Sequence, residues 1–260
     1  MKRPQFFTLI YEDENIAALN KSSGIAVSPD RWDPSVDRLD KLAAEFLGLQ
    51  KVYTVHRIDK DTSGLVIFAK NAETHRAISA AFEGRLIKKR YITAVHGRPV
   101  WNETVCDLPL VPNGNKQHLT IIDKYRGKES RTAFHILGSA GNFSILEAFP
   151  ETGRTHQIRV HLASLGHPVV CDELYGKAKP VLLSSFKRDW RGDLIDERPL
   201  LSRLGLHAAE IFLPEGIYVS AAAPDSKTAG LNLKAPLPRD MAALIKQMEK
   251  AAGKQFDVSK

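Results

Sequence analysis

His56-Arg57-Ile58-Asp59-Lys60-Asp61-Thr62-Ser63-Gly64 leads directly into the apolar run Leu65-Val66-Ile67-Phe68. A short uncharged run entered through a glycine reads as a buried strand. The polar residues before it then lie on the loop that enters the strand, where a rigid scaffold can hold a carboxylate in place. On residue chemistry alone the plainer reading is a polar turn in which Asp59 or Asp61 caps backbone N–H groups. The sharper reading makes Asp59 a reacting group.

Working outward, residues 7–11 and 16–20 form two β-like runs around the polar Glu12, Asp13, Glu14 and Asn15, and Leu39, Leu42, Ala43, Phe46 and Leu47 recur at helical spacing. Downstream, a helix is expected over about 73–85, then a strand over 91–95 closed by Gly97, Arg98 and Pro99. Strand-like runs follow over 104–110, 119–122, 132–137 and 143–149. Ile158, Leu162 and Leu165 make one helical face, with Thr155 as N-cap, Gly166 at C′ and Pro168 as the stop, so 155–165 reads as a short helix. Residues 206–213 and 217–223 read as paired strands around Pro214, Glu215 and Gly216, and 239–252 as a final helix. Many short strands with few helices point to an α+β architecture on a mainly antiparallel sheet.

The 260-residue chain is 43% hydrophobic, enough for a sizeable core. Its apolar runs fall far short of the roughly 20 residues that a bilayer span needs, and Glu12 and Asp13 break the first hydrophobic stretch, so no membrane crossing and no signal peptide are expected. Cys106 and Cys171 lack zinc-site spacing and suit a reducing compartment, which together reads as cytoplasmic. A net charge of +7 favours a polyanionic partner, because cations that displace condensed counterions from phosphates gain free energy from their release.

Two further stretches carry candidate chemistry. Lys88-Lys89-Arg90-Tyr91 sets three cations before an aromatic, a combination that holds phosphates while a base stacks. A tyrosine opening a strand beside solvated lysines is equally commonplace. In the stretch 151–161, Arg154, His156, Gln157 and Arg159 crowd the first turns of the expected helix, whose dipole adds positive partial charge, so an anion site is expected there. His156 and His161 are five apart and share no face as a metal pair would, and HExxH is absent; no metal site is expected. No phosphate-binding GxxxxGK[ST] or GxGxxG loop and no GxSxG elbow occurs.

The first stretch resembles the HRLDxxTSG signature of RluA-type pseudouridine synthases. Asn20-Lys21-Ser22-Ser23-Gly24 is similar to the family's NKPxG, the stretch 88–97 to its KxYxAxVxG, and 152–168 to its TGRxHQIRxHLxxxGHP. Leu206-His207-Ala208 and Lys234-Ala235-Pro236, with Pro238 and Asp240, match its closing motifs. The motifs keep the family's order from about Ile10 to Met241. Two departures stand out: Ser22 replaces the proline of NKPxG, and Cys171 replaces the glycine of the GD that follows GHP.

The resemblance implies the pseudouridine synthase fold, an α+β fold with a mainly antiparallel mixed sheet in two subdomains flanking a central catalytic cleft. Residues 1–252 are expected as a single catalytic domain, 179–198 as an inserted surface segment and 253–260 as a frayed tail. The family's activity isomerises specific uridines of structured rRNA or tRNA without a cofactor. By resemblance Asp59 is the nucleophile, Arg159 its facing cation, and Tyr91 the surface against the target base. Arg57 then supports the flipped-out nucleotide, and Lys88, Lys89, Arg90, Arg154 and His156 contact RNA. The family motifs begin by about Tyr11, so RNA is expected to be gripped by the catalytic domain alone, acting as a monomer. The alternatives are a catalytically inactive RNA-binding protein on the same scaffold and an RNA glycosidase that uses Asp59.

Overall fold

In chain order the secondary structure is β1 (Phe7–Glu12), β2 (Ile16–Lys21), α1 (Leu39–Phe46), β3 (Tyr53–Thr54), β4 (Ser63–Ala69), α2 (Ala72–Glu83), β5 (Lys88–His96), β6 (Glu103–Cys106), β7 (Leu110–Val111), β8 (Ile121–Ile122), β9 (Thr132–Ala140), β10 (Phe143–Pro150), α3 (Gln157–Ser164), β11 (Leu206–Leu213), β12 (Leu231–Lys234) and α4 (Arg239–Ala252). The computed structural model describes residues 6–28, 37–115, 119–186, 190–192, 196–217 and 230–258. Its backbone gathers into two compact units, 1–89 with 208–236 and 90–207 with 237–260. Among the described residues no helix is long and apolar enough to cross a membrane.

In the first unit the strands run in the order β1-β2-β4-β11, with β3 on β4 and β12 on β11. The β1–β2, β2–β4, β3–β4 and β11–β12 pairs are antiparallel. Every residue of β4 is buried, which is why it reads as a continuous apolar run and does not alternate. Leu65, Ile67 and Ala69 meet Ile78 and Ala81 of α2 in one core. That helix is anchored where it starts: the Asn71 side chain accepts from Thr74 N at 2.8 Å, and Thr74 Oγ1 and Asn71 Nδ2 both donate to the buried Asn15. Gly64 enters β4 at φ +113, and a Cβ there would stand 2.2 Å from the Ala208 carbonyl oxygen, so the backbone admits only glycine.

In the second unit β5-β10-β9-β6 is antiparallel throughout. Val95, Phe134, Leu146, Ile158, Leu162 and Leu206 share its core, so the Ile158/Leu162 face of α3 lies where its periodicity predicts. Gly166, at φ +82, closes α3 in a Schellman motif, with His167 N on Leu162 O at 2.9 Å and Gly166 N on Ala163 O at 3.1 Å. Met241, Leu244, Ile245 and Met248 form the buried face of α4. A bidentate pair from Arg203 to Asp240, 2.7 Å on both arms, holds its first turn.

Several sequence expectations are corrected. Thr155 does not cap α3; His156 takes the N-cap position in the left-handed conformation, at φ 55, with no side-chain cap bond. Gln157 Oε1 instead ties down the approach to the helix, accepting from Arg154 N at 3.0 Å. The antiparallel partner of β11 is β12, beyond the expected 217–223, of which 218–223 lie outside the described residues. The expected strand over 104–110 divides into β6 and β7 at Asp107, Leu108 and Pro109, where proline lacks the N–H to continue a ladder. Within the 179–198 segment, Val181 is buried and bridges to Leu201, and a 3-10 turn follows at Leu183–Ser185; 187–189 and 193–195 lie outside the described residues.

Of the tail expected to fray over 253–260, Phe256 and Val258 are tied to the second unit, and 259–260 lie outside the described residues. Phe256 is 4% exposed, and its ring lies so close to β9 that a Cβ on Gly138 would meet it at 2.1 Å. Phe256 N donates to Glu249 at 2.8 Å and Val258 O accepts from Arg90 at 2.7 Å. Phe256→Ala is therefore expected to lower stability by about 3 kcal/mol, seen as a reduced urea midpoint. An unchanged midpoint would mean that the tail contributes nothing.

Candidate active site

Asp59 is half-buried on a turn in which Thr62 N donates to its carbonyl at 3.2 Å. The two carbonyls after it are held from the 21–24 segment. Lys21, 1% exposed at the end of β2, donates its ammonium to Ser22 O at 2.9 Å, Ile25 O at 2.9 Å and Lys60 O at 2.8 Å. Lys60 O also accepts from Gly24 N at 2.9 Å, and Asp61 O accepts from Ser23 Oγ at 2.7 Å. Three donors matched to three carbonyls is how a buried ammonium is accommodated. Sequence reasoning assigned Lys21 and Ser23 no role; the available signal was their place inside the Asn20–Gly24 motif. Ser22, where the family carries proline, donates its own N–H to Phe6 O at 2.8 Å, a bond proline cannot make.

Arg57 is exposed on the same turn. His56 turns inward: its Nε2 accepts from Ile67 N at 2.9 Å, and its ring stacks on Phe82 with centroids 4.7 Å apart. An accepting Nε2 requires the neutral tautomer with the proton on Nδ1. Burial, helped by the Lys89 charge, pushes the His56 pKa down to about 3, and burial pushes the Lys89 ammonium down to about 8. The stability His56 contributes is therefore complete above its ordinary value of 6.5 and is lost as pH falls from there toward 3. NMR of ring-labelled protein at pH 5 is expected to show His56 neutral; a midpoint near 6.5 would contradict the buried acceptor.

In the second unit, Tyr91 is half-buried on β5 and packs against the core that contains Ile158 and Leu162. Its neighbours differ from the expected row of phosphate-facing cations. Lys88 is exposed and Lys89 half-buried. Arg90 is drawn into the unit, pairing through Nε with Glu147 and donating Nη2 to Val258 O. Its guanidinium thus fastens β5 to β10 and to the tail.

Arg159 is 3% exposed and grips Asp172, itself fully buried, with Nε on Oδ2 and Nη2 on Oδ1, both at 2.8 Å. Asp172 Oδ1 also accepts from Leu174 N at 2.9 Å and Tyr175 N at 3.1 Å, and the Arg159 guanidinium lies 5.2 Å from the Tyr175 ring centroid. Burial alone would raise the Asp172 carboxyl, but the hydrogen bond and charge of Arg159 and the two backbone N–H groups outweigh it and hold it below its ordinary value. Asp172 and Tyr175 were missed as supports of Arg159, although the GD motif flags the first. Cys171, in the motif's glycine position, keeps the left-handed φ of 56 that glycine would favour.

The anion site expected at the start of α3 is not assembled from four outward side chains. Gln157 and Arg159 are buried. Gln157 accepts from Thr152 and donates to Thr132, as part of a chain that reaches the buried His161. His156 Nδ1 meets the Tyr175 hydroxyl at 2.8 Å, and Arg154, half-buried, donates Nε to Glu129 O at 3.0 Å. The reason is position: residues at N1 and N3 of a short helix packed on a sheet point into the core. Among the described residues no group of three or more His, Cys, Asp or Glu converges to hold a metal ion.

Comparison with known proteins places this architecture. Residues 15–164 match the family described as RNA pseudouridylate synthase. The chain belongs to this family. Among curated pseudouridine synthases, the dual-specificity enzyme RluA of Vibrio vulnificus is 34% identical over 209 residues, 78% of this chain and 76% of that one. The ribosomal large subunit pseudouridine synthase D of Zymomonas mobilis is 36% identical over 179 residues, 66% of this chain and 56% of that one. The match to this second synthase thus spans little more than half of its length. These relatives place the chain in the RluA-type branch. The human RNA pseudouridylate synthase domain containing 4 superposes with a TM-score of 0.67 at 22% identity, over 93% of this chain and 92% of that one, and shares its fold.

Proposed function

We propose that this protein isomerises specific uridines of structured rRNA or tRNA to pseudouridine, with Asp59 as nucleophile and without a cofactor. The observation that carries the reading is the braced Asp59 turn: a buried lysine and a serine hold the carbonyls of Lys60 and Asp61, fixing the backbone beside one half-buried carboxylate. Such bracing suits a group that must meet a reacting atom with little freedom.

The reaction breaks the N-glycosidic bond, turns the uracil and rejoins it through carbon 5; the proton lost from carbon 5 is balanced by one taken up at N1. No group is imported and nothing is oxidised. Asp59 supplies the anion or nucleophile, and Arg159, preset by Asp172 and Tyr175, supplies the balancing cation. Tyr91 offers a surface for the uracil that has left its stack, and Arg57 supports the flipped nucleotide. Lys88, Lys89, Arg154 and His156 remain candidates for the RNA backbone, whereas Arg90 is reassigned to holding the second unit together.

The test is tritium release from rRNA and tRNA transcripts labelled at carbon 5 of uridine, with mass spectrometry of the product. Tritium release with unchanged nucleoside mass is expected. Free uracil or an abasic site would identify a glycosidase, and binding without release an inactive RNA-binding protein. Tyr91→Ala is expected to collapse single-turnover rates while leaving the slope of log affinity against log salt as in wild type, because it removes a stacking surface and no phosphate contact. An active Tyr91→Ala would remove Tyr91 from the site.

A further inference from the structure

In the second unit, β7 and β8 pair through Leu110↔Ile122 and Val111↔Ile121, and the chain then turns sharply at Asp123. Asp123 Oδ1 accepts from Tyr125 N at 2.9 Å and Arg126 N at 3.0 Å, and Oδ2 takes Arg126 Nε at 2.7 Å. Gly127 N donates to Asp123 O at 2.9 Å, and Lys128 and Leu110 exchange backbone bonds of 2.9 and 3.0 Å as the chain returns beside β7. The turn is also tightly packed: a Cβ on Gly127 would stand 2.3 Å from Asp123 O and 2.7 Å from the Pro109 carbonyl carbon.

A turn tied this closely is a rigid mount, and what it displays is Tyr125, 99% exposed, with Lys124, Arg126 and Lys128 exposed around it. A tyrosine ring held in water contributes nothing to a core, which leaves its face open to a partner outside the chain. The base of the element joins two of the residues proposed above as RNA contacts. Arg154 Nε donates to Glu129 O at 3.0 Å, and the Tyr175 hydroxyl that meets His156 also accepts from Thr120 N at 2.9 Å. Aromatic face, flanking cations and rigid backbone together fit one chemistry: an unpaired base stacking on the ring while neighbouring phosphates meet ammonium groups.

We propose that the Asp123–Gly127 turn is an RNA-docking element in which Tyr125 stacks on an unpaired base of the substrate and Lys124 and Lys128 meet the adjoining phosphates. The inference rests on the chain acting on RNA, and it adds a contact point separate from the Asp59 turn.

The probes are a fluorescently labelled 12-nucleotide oligouridylate and a blunt RNA duplex of the same length, titrated over a range of salt. Tyr125→Ala is expected to weaken oligouridylate binding about tenfold, to leave duplex binding within about twofold of wild type and to keep the salt slope. Tyr125→Phe should restore the affinity, because stacking needs the ring and not the hydroxyl. The double variant Lys124→Ala/Lys128→Ala should instead flatten the slope by about 0.7 per lost contact on the single strand and weaken both probes. Wild-type oligouridylate affinity in Tyr125→Ala, or an equal loss on both probes, would overturn the proposal. Tritium release by the wild-type protein separates this outcome from failure of the synthase reading. An unmodified transcript with Tyr125-dependent binding sinks the activity and keeps the docking element, and the reverse pattern sinks the docking element alone.

Discussion

Asp59→Asn and Asp59→Ala are expected to abolish pseudouridine formation while RNA affinity stays within about tenfold of wild type. The turn has braces that do not involve the Asp59 side chain. Lys21 and Gly24 hold Lys60 O, Ser23 holds Asp61 O, and Gly64 enters β4 under the Ala208 carbonyl whether or not a carboxylate stands at position 59. Both variants should therefore fold, and Asn keeps nearly the volume of Asp while removing its charge and nucleophilicity. Affinity should change little, because one neutralised carboxylate is small beside many phosphate contacts. The measurement is single-turnover tritium release paired with a binding titration, and turnover near wild type in either variant would sink the assignment.

Arg159→Lys is expected to lower turnover by orders of magnitude with cooperative unfolding retained. Lysine keeps the positive charge but cannot reproduce the fork of Nε and Nη2 on Asp172, so the cation loses its fixed direction. Asp172 would not be stranded, since Leu174 N and Tyr175 N still donate to it. Removing the charge altogether is the harsher change. Breaking a buried pair from one side typically costs about 3–5 kcal/mol, and lost activity could not then be told from lost structure. Near-normal turnover in a folded Arg159→Lys protein would show that the orientation set by Asp172 is not used.

Much of this molecule is legible in short-range pattern. The apolar run of β4, the Ile158/Leu162 face of α3 and the four-residue face of α4 lie where periodicity predicts, because neighbours in sequence share a face whatever packs on it. The ordered motifs likewise carried the family, since each sits within a single turn or element. What local pattern does not carry is the use made of a polar side chain. Lys88, Lys89 and Arg90 are alike as residues, yet Arg90 is claimed by Glu147, 57 positions away, and by Val258, 168 away. Lys21 is buried where the carbonyls of Ser22 and Ile25 meet that of Lys60, 39 residues on. His156, expected to present a charge at a helix start, is instead turned to Tyr175 by a left-handed backbone. Phe256 leaves the expected frayed tail because Gly138, without a Cβ, leaves room for its ring on β9. Apolar burial is driven by the residue's own surface and so can be read one residue at a time. A buried charge or hydroxyl is stable only when a geometric partner exists, and for these residues only the tertiary structure supplies it.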